Sequence, residues 1–211
     1  MSVAMLAIAA VLLALERVCY IVIARAPDLV VALCARLGWT REDAPIAVVE
    51  ALFYAFKALQ LSVFVAWCYV HGGEFPWPRY HDLFVTGLAT ALALAGQVLV
   101  FATFYRLGRI GVFFGDQLGY VVRRCREFPF SLLSHPQYVG TVLTIWGGFL
   151  LVRFPNDDWF ILPVLETIYY FSGMWLEVPD RRYRTRYASI TFKMRSLASR
   201  LIEGSERSRP T

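Results

Sequence analysis

The chain has 211 residues, of which 58% are hydrophobic and 18% are charged, whereas soluble proteins carry roughly 25% charged residues. With a mean hydropathy of +0.52, this composition excludes a disordered chain, a collagen-like repeat and a small disulfide scaffold. The net charge of +5 would suggest nucleic acid in a soluble domain, but here the basic residues lie mostly between long apolar segments. A multi-span membrane protein with no nucleic-acid partner is therefore predicted.

Five apolar stretches approach the length of about 20 residues that a helix needs to cross the hydrocarbon core. In chain order they are approximately residues 3–24, 45–70, 83–105, 138–152 and 159–176. The first stretch lacks the basic start of a secretory signal and stays apolar beyond Arg17, so we expect it to be retained. The sequence thus predicts an all-α membrane bundle of about five spans, forming one domain over 1–203 with a flexible tail over 204–211.

Lysine and arginine are distributed unequally between the segments that join these stretches. Alternate segments carry seventeen of them on one side and two on the other, and only Arg17 and Lys57 fall within spans. Because cytoplasmic segments carry the excess of basic residues, we expect the N-terminus outside and the C-terminus in the cytosol. Segments 25–44 and 106–137 and the C-terminal tail would then share the cytosolic side.

Several ionisable residues lie inside the apolar stretches, where lipid exposure is costly. Glu16, Arg17, Glu50 and Lys57 are expected to pair between helices and stabilise the bundle. Glu166 and Glu177 are eleven residues apart, which places them three helical turns apart on one face. These residues predict polar contacts inside the bundle.

The four cysteines are widely spaced and show neither a CxxC pair nor the pattern of a disulfide framework. No metal site is predicted.

The segment between the third and fourth stretches carries the most specific motif. Glycines stand at positions 108, 111, 115 and 119, and His135-Pro136-Gln137-Tyr138-Val139-Gly140 opens the fourth stretch. Proline presets the first helical turn and leaves free N–H groups at the aqueous entrance. His135 is thus a candidate site residue, or simply the residue that starts the helix, and Tyr138 is a candidate site residue or an interfacial anchor.

The run LGRIGVFFGDQLGYVVRRCREFPFSLLSHPQYVGT, residues 107–141, resembles the central signature of the integral-membrane phospholipid N-methyltransferases. These are the phosphatidylethanolamine and phosphatidyl-N-methylethanolamine N-methyltransferases, within a wider group that includes the isoprenylcysteine carboxyl methyltransferases. Leu176-Glu177-Val178-Pro179 is similar to their Glu-Glu-Pro element. The resemblance implies methyl transfer from S-adenosylmethionine to an ethanolamine phospholipid, towards phosphatidylcholine, in an endoplasmic reticulum or bacterial inner membrane.

The resemblance also implies cofactor contacts. A Gly-x-Gly element late in a span falls on Leu94-Ala95-Gly96, where only the second glycine is present. The acidic pair after the last span falls on Glu177-Val178, where only the first acid is present. His135 and Tyr138 complete the expected cofactor-binding set.

The implied reaction requires a base, because the ethanolamine ammonium must lose a proton before its nitrogen can attack a methyl group. Asp116 and His135 are the candidate catalytic residues, while Glu16 and Glu166 would serve only if the spans enclose a wet cavity. Arg123, Arg124 and Arg126 are expected to hold the lipid phosphate. The reaction needs no metal.

Two other functions stay open on sequence. The same scaffold can methylate another acceptor, such as a prenylcysteine carboxylate or a small thiol. A membrane bundle without enzymatic activity would use its paired charges for structure alone and would bind no cofactor. The oligomeric state is not indicated by the sequence.

Overall fold

The computed structural model describes residues 3–39, 41–73, 75–79, 82–122 and 125–176. All the regular secondary structure in these ranges is helical. The helices are α1 (Val3–Arg25), α2 (Asp28–Arg36), α3 (Ala44–Gly72), α4 (Leu83–Val112), α5 (Pro136–Val152) and α6 (Ile161–Leu176).

Three of the described helices, α1, α3 and α4, are long and apolar enough to cross a membrane. Helices α5 and α6 have 17 and 16 residues. At 1.5 Å per residue they reach about 25 Å, which is less than the roughly 30 Å of the hydrocarbon core. The five predicted apolar stretches are therefore all helical, but only three meet the length of a full span.

The helix bounds differ from the sequence prediction in two places. The predicted loop 25–44 contains α2, and α4 continues beyond Tyr105 to Val112. The basic residues of this extension are paired, Arg106 with Glu127 at 2.6 Å and Arg109 with Glu50 at 2.5 Å. Gly108 interrupts the helical geometry with φ +63°, a left-handed value that glycine tolerates and that produces a kink.

The start of α5 confirms the prediction from the His-Pro motif. His135 is the N-cap residue and Pro136 occupies the first turn of the helix. Proline is favoured there because its fixed φ suits the helix and its missing N–H would have no intrahelical acceptor.

Helices α4 and α5 pack closely through small residues. A Cβ placed on Gly96 would lie 2.4 Å from the carbonyl oxygen of Gly140, and one on Gly147 would lie 2.5 Å from the carbonyl oxygen of Ala89. Such backbone approach is typical of membrane helix pairs, in which small residues allow extensive van der Waals contact.

The remaining helices pack in sequence around this pair. Helix α6 packs on α5, α1 packs on α6, and α3 packs on α1 and α2. Two cavities separate the inner face of α3 from α4 and α5. One of them is polar and lies near the start of α5.

Segments predicted to share one side of the membrane meet at the same end of the bundle, which we call the cavity end. Arg109 pairs with Asp43 at 3.2 Å, and the hydroxyl of Tyr120 donates to the carbonyl of Glu42. The Nε of Arg25 donates to the carbonyl of Leu176 at 3.0 Å. The ends of α1, α4 and α6 therefore lie together with the start of α3.

Candidate functional site

A cavity of about 480 Å³ lies inside the cavity end of the bundle. Five helices contribute to its wall, α1, α3, α4, α5 and α6, together with the turns after α4 and before α5. Its lining combines apolar rings with charged groups, the composition expected of a small-molecule site.

An ion cluster forms one wall of this cavity. Glu16 on α1 forms ion pairs with both Arg17 and Lys57, with its Oε1 2.7 Å from an Arg17 nitrogen and 2.8 Å from the Lys57 Nζ. Glu16 and Arg17 are 3% and 4% exposed. Since Lys57 lies on α3, the pair joins two helices inside the bundle, as the sequence predicted.

The cluster continues as a chain of hydrogen bonds towards α6. The Lys57 ammonium donates to Gln60 at 3.0 Å and to the Tyr170 hydroxyl at 2.7 Å. Gln60 in turn donates to Glu166 at 2.7 Å, and Glu166 is only 1% exposed. The buried carboxyl group of Glu166 therefore has a hydrogen-bond partner, which agrees with the polar contact predicted for it inside the bundle.

Three tyrosines surround the guanidinium of Arg17. Its carbon lies 4.1 Å from the ring centroid of Tyr170, 5.1 Å from that of Tyr20 and 5.3 Å from that of Tyr138. Tyr20 is 4% exposed, and its hydroxyl has no hydrogen-bond partner within the part of the chain that the structure describes. A buried hydroxyl without a partner is costly, so Tyr20 offers a polar contact to a ligand.

His135 and Tyr138 line the cavity from the start of α5. Their rings stack, with centroids 6.0 Å apart and an interplanar angle of 24°. Partial burial lowers the pKa of His135, because desolvation disfavours the charged imidazolium. The ring is therefore largely neutral at pH 7 and has one nitrogen able to accept a proton.

Asp116 and Arg126, the other described members of the predicted catalytic and phosphate-binding set, do not line this cavity. Asp116 is exposed, whereas its neighbour Gln117 lines the cavity. Arg126 is also exposed on the turn before α5. Arg123, Arg124, Glu177 and Val178 lie outside the described residues, so their predicted roles stay predictions.

The three residues at the Gly-x-Gly position of α4 face two directions: Gly96 faces α5, and Leu94 and Ala95 face the exterior of the bundle. Gly96 is buried against Gly140 and Thr144, whereas Leu94 is 62% exposed and Ala95 is also exposed. None of the three lines either cavity. Their contacts are those of helix packing, and their predicted role towards a cofactor stays a prediction.

The sequence predicted a structural role for the charges in α1 and α3, and a site role for Glu16 only if the spans enclose a wet cavity. Their position inside apolar helices could have placed them at the site, because ionisable residues in such helices often face a wet cavity. Tyr20 and Gln60 carried no such signal. Glu16 does line a polar cavity, the condition under which it was expected to serve as a base.

Comparisons with known proteins agree on one family. The family model described as phospholipid methyltransferase matches residues 84–180. The phosphatidylethanolamine N-methyltransferase of Rattus norvegicus is 35% identical over 100 residues, which are 47% of this chain and 48% of that protein. The phosphatidyl-N-methylethanolamine N-methyltransferase of Saccharomyces cerevisiae is 40% identical over 63 residues, 29% of this chain and 31% of that protein.

A third relative, the phosphatidyl-N-methylethanolamine N-methyltransferase of Arabidopsis thaliana, is 30% identical over 105 residues, 50% of this chain and 57% of that protein. The chain thus spans about half or less of the length of these curated relatives. No solved structure matches it. Residues 84–180, which hold most of α4, the His135-Pro136 turn, α5 and α6, are therefore similar to the phospholipid methyltransferase family.

Proposed function

We propose that this chain transfers methyl groups from S-adenosylmethionine to the amine of phosphatidylethanolamine or of its mono- and dimethyl derivatives, towards phosphatidylcholine. The observation that carries the proposal is the cavity in which His135 and Tyr138, from the family-matched segment, face the ion cluster of α1 and α3. The relatives, which are named as N-methyltransferases of ethanolamine phospholipids, support the class of acceptor.

The residues of the cavity fit S-adenosylmethionine. The volume of about 480 Å³ lies within the range of small-molecule sites, roughly 300 to 1,000 Å³. The Arg17 and Lys57 cations would hold the carboxylate of the methyl donor, and the Tyr20 hydroxyl is open to a polar group. Glu177, Val178 and the segment Leu94 to Gly96 are proposed as further contacts on the basis of the resemblance alone.

When bound, S-adenosylmethionine supplies an electrophilic methyl group. His135 would accept the ammonium proton of the lipid at a ring nitrogen, which leaves the lone pair of the lipid amine able to form the new N–C bond. The bond between the methyl group and the donor's sulfur would break at the same time, and S-adenosylhomocysteine would leave. The cavity wall holds the acceptor in line with the methyl carbon, and this positioning supplies much of the rate. Asp116 is proposed as the second candidate base.

The lipid phosphate is proposed to bind Arg123, Arg124 and Arg126, which precede the turn into α5. An arginine side chain can hold two phosphate oxygens at once. The exposure of Arg126 at the cavity end supports this assignment, because a phospholipid headgroup lies at the membrane surface.

The membrane arrangement is part of the same proposal. Helices α5 and α6 cross the bilayer beside α1, α3 and α4, which makes five spans in one domain over residues 1–203. The N-terminus lies outside, and the cavity end faces the cytosol, from which a water-soluble methyl donor reaches the cavity.

The activity is tested with purified protein in detergent–phospholipid micelles. Labelled S-adenosylmethionine is offered with phosphatidylethanolamine, its mono- and dimethyl forms, and prenylcysteine as separate acceptors. We expect label in at least one lipid amine and none in prenylcysteine. Transfer to no lipid amine refutes the proposed function, whatever the result with prenylcysteine.

Residue roles are separated by a second set of variants. Glu177→Ala should raise the KM for S-adenosylmethionine, whereas Arg124→Ala should raise the KM for the lipid more. Arg36→Ala is the matched control, since Arg36 is exposed on α2 at the same end of the bundle and has no proposed role. Kinetics equal to this control for both variants would remove the assignment.

A further inference from the structure

A second cavity of about 490 Å³ lies between α3 and the α4–α5 pair. Its lining is mainly apolar, with Phe64, Val65, Ile145 and Phe149 along its length. Leu61 at its edge is 63% exposed, so the cavity opens sideways to the surroundings of the bundle. We call this space the α3–α5 groove.

Two helical stripes form the walls of the groove. The α3 stripe contains residues 57, 60, 61, 64, 65 and 68, and the α5 stripe contains 137, 141, 144, 145, 148, 149 and 152. Spacings of three and four place each set on one face of its helix. The groove is therefore a continuous channel parallel to the helix axes, and not an isolated void.

The groove is continuous with the polar cavity. Phe53, Lys57, Gln137 and Thr141 line both spaces. The lining changes from polar to apolar at this junction, beside the Lys57 ammonium and the Gln137 amide. A molecule that places a polar head in the cavity and an apolar chain in the groove would match both surfaces at once.

The length of the groove fits a membrane lipid. From Lys57 to Cys68 the α3 stripe covers eleven residues. At 1.5 Å per residue this is about 16 Å, close to half of the roughly 30 Å hydrocarbon core. The groove thus has about the depth of one bilayer leaflet and begins at the candidate site.

We propose that the α3–α5 groove binds one acyl chain of the phospholipid acceptor, with the glycerol end of that chain at the junction beside Lys57 and Gln137. This inference rests on the proposed function, since it names the part of the substrate that the groove takes. Burial of methylene groups in the groove holds the amine at the site, so chain length contributes to acceptor selection.

Labelling of the groove tests the occupant directly. The purified protein in vesicles receives phosphatidylethanolamine with a photoreactive diazirine near the end of one acyl chain, and mass spectrometry locates the adducts. We expect adducts on groove residues such as Phe64 and Ile145. A phosphatidylglycerol with the same diazirine chain should label the groove several-fold less.

A substitution in the groove supplies a matched pair of variants. An added Cβ on Gly148 meets no atom within 4 Å, and Gly148 lines the groove, so Gly148→Leu fills the channel without a clash at its Cβ. Gly87 on α4 also has open space around an added Cβ but lines neither cavity, so Gly87→Leu is the control. Gly148→Leu should reduce groove labelling about tenfold, because the displaced methylenes lose their burial, while Gly87→Leu should leave it unchanged.

Transfer kinetics give a second readout. Gly148→Leu should raise the KM for a long-chain acceptor about tenfold but leave a six-carbon-chain acceptor unaffected, since the short chain does not reach Gly148. Adducts confined to outward-facing residues, equal labelling by both headgroups, or equal effects of the two leucine variants on labelling would each overturn the inference. Failure of the proposed function is a separate result, because it appears as no methyl transfer by the wild type and does not affect the labelling pattern.

Discussion

The ammonium of Lys57 on α3 lies 2.8 Å from the carboxylate of Glu16 on α1, although both residues stand in long apolar helices. The pair also contacts Arg17 and Tyr170, so it joins three helices at the wall of the polar cavity. A charge inside a membrane bundle is tolerated when such partners replace water. The same contact therefore stabilises the bundle and shapes the candidate site.

Breaking this pair should destabilise the bundle. Removal of Glu16 leaves Arg17 and Lys57 without their carboxylate, and removal of Lys57 leaves Glu16 with one of its two cations; breaking such a buried pair costs about 3 to 5 kcal/mol. We expect Glu16→Gln or Lys57→Met to lower the thermal unfolding midpoint in detergent strongly, and the double variant to recover part of the loss. Glu50→Gln, which breaks the more exposed pair with Arg109, should have a much smaller effect, and equal losses in all three single variants would contradict the expectation.

A methyl group at Gly96 should loosen the α4–α5 pair. Its Cβ would lie 2.4 Å from the Gly140 carbonyl, so the helices must separate, which costs about 1 to 3 kcal/mol. Thermal unfolding of Gly96→Ala should show this loss, whereas Gly87→Ala should show none because the added Cβ meets open space. If Gly96→Ala instead keeps its stability and raises only the KM for S-adenosylmethionine, Gly96 has a direct role in cofactor binding.

The pH dependence of transfer should report His135. Burial lowers its pKa below the usual value of 6.5, so the proton-accepting form predominates above that pH and is lost as pH falls through the lowered pKa. His135→Gln should reduce kcat about 100-fold or more at pH 7 to 8. The ratio of wild-type to variant kcat should fall towards one as the pH falls through this lowered pKa.

The ratio of wild-type to His135→Gln kcat is not affected by titration of the lipid amine, because that titration changes both kcat values equally. A ratio that stays constant from pH 5 to 8 would show that His135 acts only in packing or cofactor contact. Asp116→Asn is the parallel test of the second candidate base.

Accessibility to a membrane-impermeant thiol reagent should establish the orientation. Trp77 and Leu132 are 69% and 72% exposed and lie in segments at opposite ends of the bundle. In intact cells we expect Trp77→Cys to react and Leu132→Cys to react only after permeabilisation, with wild type as the background for native cysteines. Labelling of Leu132→Cys and Arg184→Cys from opposite sides would separate the His135 turn from the C-terminal segment and exclude a shared site.

Much of the fold was predictable because membrane helices are set by local properties. Runs of apolar residues identified the five long helical regions, and His135-Pro136 marked the start of α5. The exceptions have causes that the apolar signal does not carry. Helix α2 is short, and α4 extends through Arg106 and Arg109 because carboxylates from distant segments neutralise them.

The candidate site was predictable only where a motif was continuous in the chain. His135 and Tyr138 were found because six consecutive residues carry the signal, and both line the cavity. Tyr20 and Gln60 were not found, because an isolated tyrosine or glutamine in an apolar helix indicates no particular neighbour. Gly96 was expected at a cofactor, but its contacts with Gly140 and Thr144 depend on a partner helix 44 residues along the chain.

By itself, the sequence determined that this protein is helical and apolar, and which of its segments resemble phospholipid methyltransferases, since composition, hydrophobic length and motifs are properties of neighbouring residues. Only the tertiary structure decided that Glu16, Lys57 and His135 share one cavity and that a groove continues from it between α3 and α5. The physical reason is that packing between α1, α3 and α5 depends on side-chain shape and charge across distant segments. A linear pattern of polarity does not record which helix faces which.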